Sequence, residues 1–211
     1  METKTQKPFI PTAKPKLELD ALLAKIDTAA LDELYKYDVF IVFLSDYYMN
    51  TADQKGYNDA LFLVWRKDGK LRMKPYNGSC NPSLGLLDAG TKKGTPTLCE
   101  DIVHLAYVLD THKGAKSKGY KALCQRVADV TVTRNNAKGE PYIDKGSFGI
   151  NLHRGGVKSL NSEGCMTVPP VQFAELMIYM ESILGVEQYK LPIGQRTVVP
   201  IFITKNNKNV R

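Results

Sequence analysis

The chain has 211 residues, of which 43% are hydrophobic and 24% charged, values typical of an ordinary globular protein and not of a disordered or fibrous one. Its formal net charge is +7, but the lysines are scattered, with no dense run and no aromatic-interleaved RNA motif, so we expect no nucleic-acid partner. The longest apolar run, residues 39–44, is too short to cross a bilayer, so no membrane span is expected.

The N-terminal region is predicted to be an arm followed by helices. Residues 1–16 hold four lysines and three prolines, a composition typical of a disordered arm, and they lack the apolar core of a Sec signal peptide. Apolar residues in 17–35 recur at close to helical spacing, which predicts one or two amphipathic helices. We interpret residues 17–58 as a helical N-terminal extension, although the run 39–44 favours a strand, and residues 59–211 as the main domain.

Strand and turn signals dominate the main domain. Asp68-Gly69 lies between two short apolar runs, residues 60–65 and 71–75, and this dipeptide is typical of a hairpin turn. Further strands are predicted over residues 103–109, 127–133, 148–152 and 197–204. The last of these contains Pro200, which favours an edge strand. The pattern predicts a mostly β, α+β fold.

A helix is predicted to begin at Pro169-Pro170 and to end at Gly185, with proline in its first turn as expected. Its apolar stripe is expected to face the core.

The stretch from Gly146 to Pro170 contains the candidate catalytic residues. His153 and Cys165 stand twelve residues apart, each close to glycine. Apolar residues at 148, 150 and 152 alternate with 149, 151 and 153, so a strand here would place His153 on the opposite face, outside the core. An imidazole within reach of a thiol can take its proton and return it to a leaving amine. We therefore predict a catalytic pair, with Cys165 as nucleophile and His153 as base.

Two residues beside Cys165 complete this prediction. Gly164 lets the backbone approach a substrate carbonyl, where nearby N–H groups can hold a developing oxyanion. Ser162 is expected to orient His153 or to donate to the same site. The competing interpretation is a buried structural cysteine beside an unrelated histidine, because free cysteines are usually buried.

The other histidines and cysteines are less informative. His112 is either an exposed loop residue or a partner of the cysteine. No metal and no cofactor are predicted, because the chain has no phosphate-binding glycine-rich loop and its cysteines and histidines match no common zinc spacing. The residues concerned are cysteines 80, 99, 124 and 165 and histidines 104, 112 and 153.

His153, the turn Gly155-Gly156 and the run Ser162-Glu163-Gly164-Cys165 resemble the signature of the L,D-transpeptidases of the YkuD type. The resemblance covers residues 90–185. It implies an L,D-transpeptidase-like β-sandwich with a helix after the catalytic cysteine. It also implies that Cys165 attacks a peptidoglycan stem peptide at an L,D bond, that His153 is the base, and that Ser162 and Gly164 shape the site. The acyl-enzyme then passes to an amine, as in a transpeptidase, or to water, as in a carboxypeptidase.

The chain departs from the family pattern at three positions. Arg154 separates His153 from the glycines, Glu163 replaces a second histidine, and Thr167 stands where the family has a substrate-binding arginine. We interpret Arg154, Glu163, Thr167 and His112 as candidate substrate-binding residues, with Arg154 supplying the missing positive charge.

Two classes of function stay open. The first is a cysteine-dependent enzyme acting on L,D bonds of stem peptides, including the case of an antibacterial effector whose N-terminal helices bind an immunity or delivery protein. The alternative is a non-catalytic cell-wall-binding or phage virion structural protein with the same fold. Because no Sec signal peptide is seen, we expect action in the periplasm or cell wall after delivery by a secretion system or a phage.

Overall fold

The computed structural model describes residues 7–48, 56–83, 93–112, 118–136 and 138–207. Strands account for most of its regular structure. Two short helices precede the first strand, and one longer helix follows Cys165. The helices are α1 (Leu19–Leu23), α2 (Thr28–Leu34) and α3 (Pro170–Leu184), and single 3-10 turns follow at Val186–Lys190 and Ile193–Gln195.

Twelve strands are described, and they form three open sheets. The strands are β1 (Val39–Ser45), β2 (Asp59–Lys67), β3 (Lys70–Gly78), β4 (Thr97–Leu98), β5 (Val103–His104), β6 (Tyr107–His112), β7 (Tyr120–Gln125), β8 (Val130–Asn135), β9 (Pro141–Gly146), β10 (Leu152–Arg154), β11 (Met166–Val168) and β12 (Ile201–Lys205). The sheet orders are β3-β2-β1-β12-β5, β11-β10-β7-β6 and β4-β8-β9.

The five-stranded sheet is built around β1. All seven residues of β1 are buried, as expected for a continuous apolar strand covered on both faces. Alternate residues face two cores: one core packs against the N-terminal helices through Leu22 and Leu34, and the other faces the remaining sheets. Because β1 pairs with both β2 and β12, it belongs to the main domain. The predicted boundary between residues 58 and 59 therefore does not separate two units.

Residues 7–16 pack on this domain. Phe9 bridges to Gly56, the carbonyls of Pro11 and Ala13 accept hydrogen bonds from the Asn77 side chain, and Lys14 pairs with Glu175. These contacts differ from the disordered arm predicted for residues 1–16, of which 1–6 lie outside the described residues. Buried Asn77 gives the segment a fixed hydrogen-bond donor, which composition does not reveal.

The two strongest local predictions are confirmed. Asp68 and Gly69 have φ of 52° and 73° between β2 and β3, as a tight hairpin turn with two positive-φ residues requires. Helix α3 begins at Pro170 and its last residue precedes Gly185, with Phe173, Leu176 and Met180 buried on its inner face.

Three strand predictions need correction. The segment 103–109 divides into β5 and β6, which lie in different sheets. Residues 148–151 are not a strand, because Gly149 has φ +71° and turns the chain before β10. Strand β12 starts after Pro200 and lies between β1 and β5, so it is an interior strand and not an edge.

The fold class is thus mostly β, in the α+β class, with a helix after Cys165 and helices at the N-terminal side. Within the described ranges, no helix is both long and apolar enough to cross a bilayer.

Candidate active site

Parallel pairing of β10 with β11 places the two predicted catalytic residues on adjoining segments. His153 is in register with Thr167, and Leu152 with Met166. Asn151 and Cys165 lie just before these strands, where the Met166 N–H donates to the Asn151 carbonyl at 3.0 Å. Cys165 therefore stands beside the segment that leads into the strand of His153.

The sulfur of Cys165 has two polar neighbours. The Asn151 N–H donates to Sγ at 3.3 Å, and Sγ lies 3.7 Å from the carbonyl oxygen of Gly149, to which the thiol donates. Burial raises the pKa of the Cys165 thiol, the Asn151 N–H opposes that rise, and the charge of Glu163 adds to it. The Cys165 side chain is therefore a protonated thiol before substrate binds.

Cys165 differs from the other three cysteines in exposure. Cys80, Cys99 and Cys124 are buried, whereas Cys165 is partly exposed. The interpretation of Cys165 as one more buried structural cysteine therefore does not fit its position.

Ser162 and Gly164 fix the turn that presents Cys165. The Ser162 hydroxyl donates to the Cys165 carbonyl at 2.6 Å and accepts from the Gly164 N–H at 3.2 Å. Gly164 has φ +133°, and a Cβ there would lie 2.6 Å from the Pro96 carbonyl oxygen. Among the described residues no hydrogen bond joins Ser162 to His153, and its hydroxyl proton goes to the Cys165 carbonyl, so neither role expected from its chemistry is seen. These contacts agree with the shaping role that the resemblance implies.

His153 is buried, with only 4% of its surface exposed. Its Nδ1 lies 3.0 Å from the Arg154 carbonyl oxygen. Because a carbonyl only accepts, Nδ1 carries the proton and Nε2 is left as the accepting nitrogen. Burial lowers the pKa of His153 to about 4, so the ring is neutral near pH 7.

The position of His153 corrects one expectation. Apolar alternation predicts a ring outside the core, but the ring is buried beside Tyr120, whose hydroxyl lies 3.3 Å from Nδ1. No hydrogen bond joins Cys165 to His153 in the described part of the chain. The predicted pair lies on adjoining segments of the sheet without a direct hydrogen bond.

His112 belongs to the same cluster. Its ring is stacked on that of His153, with centroids 4.6 Å apart and planes 7° from parallel. The Gln125 N–H donates to Asn151 Oδ1 at 2.9 Å, so Asn151 Nδ2 is the atom that faces His112 Nδ1 at 3.0 Å. His112 Nδ1 therefore accepts, and its proton lies on Nε2. His112 is therefore not an isolated loop residue: it contacts His153 and Asn151, and the backbone N–H of Asn151 donates to the Cys165 sulfur.

The other three predicted substrate-binding residues have different surroundings. Arg154 is exposed, with its guanidinium carbon 4.8 Å from the Tyr120 ring centroid. Glu163 is also exposed. Thr167 is fully buried, and its hydroxyl has no partner among the described residues. Its side chain faces the interior because β11 pairs with β10 in this register. The prediction that Thr167 binds substrate is therefore not supported.

A cleft opens beside Cys165, and sequence reasoning missed part of it. The cleft has a volume of about 600 Å³ and is lined by Asp110, Thr111, His112, Arg126, Gly149 and Asn151. Arg126 and Asp110 come from neighbouring segments and form an ion pair at 2.6 Å. Only the register of β6 on β7 brings these two residues together, and no sequence signal gives that register. No group of three histidine, cysteine or carboxylate side chains in the described ranges is placed to hold a metal ion.

The chain matches no protein-family model, no curated protein and no solved structure.

Proposed function

We propose that the protein is a cysteine-dependent enzyme that acts on L,D bonds of peptidoglycan stem peptides, on an L,D-transpeptidase-like domain. The observation that carries the proposal is the setting of Cys165. Alone among the four cysteines it is partly exposed, and its sulfur contacts Gly149 and Asn151, which line a cleft. It also lies beside the segment that leads to a neutral histidine. The motif residues Ser162 and Gly164 hold its turn in place.

In the proposed reaction Cys165 Sγ attacks the scissile carbonyl carbon. The thiol proton passes to His153 Nε2, the nitrogen left free by the hydrogen bond from Nδ1 to Arg154. The C–N bond then breaks and the leaving amine takes the proton from His153. Water or an amine attacks the thioester, which releases the product and restores the thiol.

The protonation states favour transfer of the proton during the attack. Burial raises the pKa of Cys165 and lowers that of His153, so thiol and imidazole are both neutral before the reaction. A preformed thiolate and imidazolium pair is therefore disfavoured. Approach of a substrate carbonyl gives the proton transfer its driving force.

Two backbone N–H groups at the nucleophile are candidates to hold the developing oxyanion, one of which donates to the sulfur before substrate binds. The Asn151 N–H already points at the sulfur, and the Cys165 N–H donates to no partner within the described residues. Both lie at the nucleophile, where donors to an oxyanion must lie.

The test is incubation of the purified protein with defined muropeptides, followed by mass spectrometry. Loss of the terminal D-alanine mass indicates carboxypeptidase action, and D-amino-acid exchange or a dimer product indicates transpeptidation. Cys165→Ala should abolish either product. Cys99→Ser is the matched control, because Cys99 is a buried thiol with its own partner, Thr133, and should retain activity. No product from tetrapeptide, pentapeptide or cross-linked dimer would favour the alternative of a non-catalytic wall-binding or virion protein.

A further inference from the structure

We infer that the cleft beside Cys165 binds a free carboxylate through Arg126, so that the enzyme acts at the C-terminal end of its peptide substrate. The inference rests on the proposed function and narrows it. The group that is recognised is the C-terminal carboxylate of the peptide. Recognition of this group favours release of a terminal residue over cleavage of a bond inside a cross-link.

The cleft and the nucleophile share two residues. Gly149 and Asn151 line the cleft, and the same two residues contact Cys165 Sγ through a carbonyl and an N–H. A group bound in the cleft is therefore held next to the sulfur.

Arg126 presents one edge of its guanidinium to the cleft. Nε donates to Asp110 Oδ2 at 2.6 Å and Nη1 donates to the Gln125 carbonyl at 2.9 Å. Nη2 makes only a long contact of 3.5 Å with the Thr111 carbonyl. The side chain keeps 30% of its surface exposed. Asp110 and Gln125 thus orient the guanidinium, and its Nη2 end stays open to a ligand.

The charge around Asp110 is not balanced. Asp110 also accepts from Arg196 Nη1 at 2.8 Å, and the Arg196 side chain is only 9% exposed. Burial raises the pKa of Asp110, but hydrogen bonds from Arg196, the Thr111 N–H and Arg126 outweigh it and lower the pKa overall. One ionised carboxylate is therefore paired with two guanidinium groups. The cluster keeps one net positive charge, and its accessible member is Arg126. An anion that bonds to Nη2 supplies the missing negative charge.

His112 adds a second donor to the cleft. Its Nδ1 accepts from Asn151, so its proton lies on Nε2, and a neutral Nε2–H suits a carboxylate oxygen. Arg126 and His112 lie at opposite ends of the hairpin β6–β7 and both line the cleft. Together they provide one charged donor and one neutral donor.

Peptide geometry connects this cleft to the cleavage site. In a terminal residue, the α-carboxylate carbon lies one residue beyond the scissile carbonyl carbon, no more than about 3.6 Å away. A cleft that borders the nucleophile therefore suits the carboxylate of the leaving residue. An internal bond presents a neutral amide at the same place, which leaves the net positive charge of Arg126, Asp110 and Arg196 unbalanced.

The test measures binding in the Cys165→Ala background by calorimetry, with a stem tetrapeptide as free acid and as C-terminal carboxamide. We expect the free acid to bind roughly tenfold to a hundredfold more tightly, as a lost charge-assisted hydrogen bond implies. Adding Arg126→Gln should remove this preference, and Arg126→Lys should restore part of it. Arg66→Gln is the control, since Arg66 is a distant arginine paired with Asp38 at 3.6 Å, and it should change nothing.

The outcomes separate the two proposals. Equal binding of acid and amide, no measurable binding of the acid, or a preference that survives Arg126→Gln would overturn the carboxylate site. If turnover by the wild-type protein still depends on Cys165 in that case, the proposed function stands without it. A carboxylate preference that Arg126→Gln abolishes, without Cys165-dependent turnover of any muropeptide, would instead overturn the enzyme assignment and leave a carboxylate-binding cleft. Thermal unfolding of each variant shows whether it folds.

Discussion

The rings of His112 and His153 are stacked face to face, 4.6 Å apart and 7° from parallel. They carry their protons on different nitrogens, because His153 Nδ1 donates to the Arg154 carbonyl while His112 Nδ1 accepts from Asn151. Burial lowers the pKa of both rings, and the His112 charge lowers that of His153 further. The stack is therefore stable as a neutral pair that offers one accepting and one donating Nε2.

This stack predicts a loss of stability in acid that depends on His153. The folded pKa of about 4 lies below the unfolded value of 6.5, so between these values the unfolded chain binds more protons. The contribution is complete above pH 6.5 and is lost as pH falls toward 4. Between pH 8 and pH 5 the loss is about 2 kcal/mol. Denaturant unfolding gives the change in the free energy of unfolding between pH 8 and pH 5 for wild type and for His153→Asn. The difference between these two changes is the contribution of His153.

Asp59 contributes with the opposite sign and must be included. It is fully buried, and burial raises its pKa to about 6, from 3.8. The folded state therefore binds more protons there between pH 3.8 and pH 6, and stability increases as pH falls through that range. Burial also lowers the pKa of His104 and His112, which adds to the loss of stability in acid in both proteins. Between pH 8 and pH 5, wild type should therefore lose more stability than His153→Asn. Parallel profiles for the two proteins would contradict the buried neutral stack.

Local signals in the sequence predicted part of this architecture. The turn at Asp68-Gly69 and the helix that begins at Pro170 depend on backbone preferences of a few adjacent residues, and both are confirmed. The strand predicted over residues 148–152 failed because the positive φ of Gly149 overrides the apolar alternation. Alternation alone does not show where a glycine turns the chain.

For the candidate site, the sequence indicated residue types but not contacts. The sequence indicated Cys165 and His153, and the fold places them on adjoining segments. The ion pair of Arg126 with Asp110 and the bond from the Asn151 N–H to sulfur arise from strand register between distant segments. The register between two strands depends on the packing of the whole sheet, so it cannot be predicted from the residue pattern of one segment alone.

Thiol labelling of the folded protein should report one cysteine. Cys165 is partly exposed and the other three are buried, so iodoacetamide should modify one thiol per native chain and four in denaturant. Because burial raises the pKa of the Cys165 thiol from 9.0, labelling should be slow at pH 7 and still accelerate above pH 9. Mass spectrometry identifies the modified residue. Cys165→Ser should show no native labelling, and modification at Cys80, Cys99 or Cys124 would disprove the assigned exposure.

Asn151 links the nucleophile to the histidine stack, which predicts distinct effects for two substitutions. Asn151→Ala leaves the Gln125 N–H and His112 Nδ1 without partners and should cost about 1–3 kcal/mol of folding stability. Asn151→Asp keeps an acceptor for Gln125 but places a carboxylate oxygen at His112 Nδ1. It should raise the pKa of His112 and move its proton to Nδ1.

Nitrogen-15 NMR of the histidine rings distinguishes these two effects. In Asn151→Asp the His112 resonances should report a protonated Nδ1, and the His112 titration should move to higher pH. Unchanged ring resonances in this variant would mean that Asn151 does not set the His112 tautomer. Asn135→Asp is the control, because Asn135 ends β8 in a different sheet and should leave both rings unaffected.

The turn at Gly164 should be intolerant of a side chain. Gly164 has φ +133°, and a Cβ would lie 2.6 Å from the Pro96 carbonyl oxygen, a backbone atom that cannot move aside alone. Gly164→Ala should lower the free energy of unfolding by about 1–3 kcal/mol, the usual cost of a strained backbone position. It should also displace the Cys165 carbonyl from the Ser162 hydroxyl and change the rate of Cys165 labelling.

A matched glycine tests whether this effect is local. Gly194 lies in a 3-10 turn, and a Cβ added there would meet no described atom within 4 Å. Gly194→Ala should therefore leave both stability and labelling within error of wild type. Ser162→Ala should resemble Gly164→Ala, because it removes the hydroxyl that bonds both the Gly164 N–H and the Cys165 carbonyl. If Gly164→Ala labels and unfolds like Gly194→Ala, the turn does not set the position of the nucleophile.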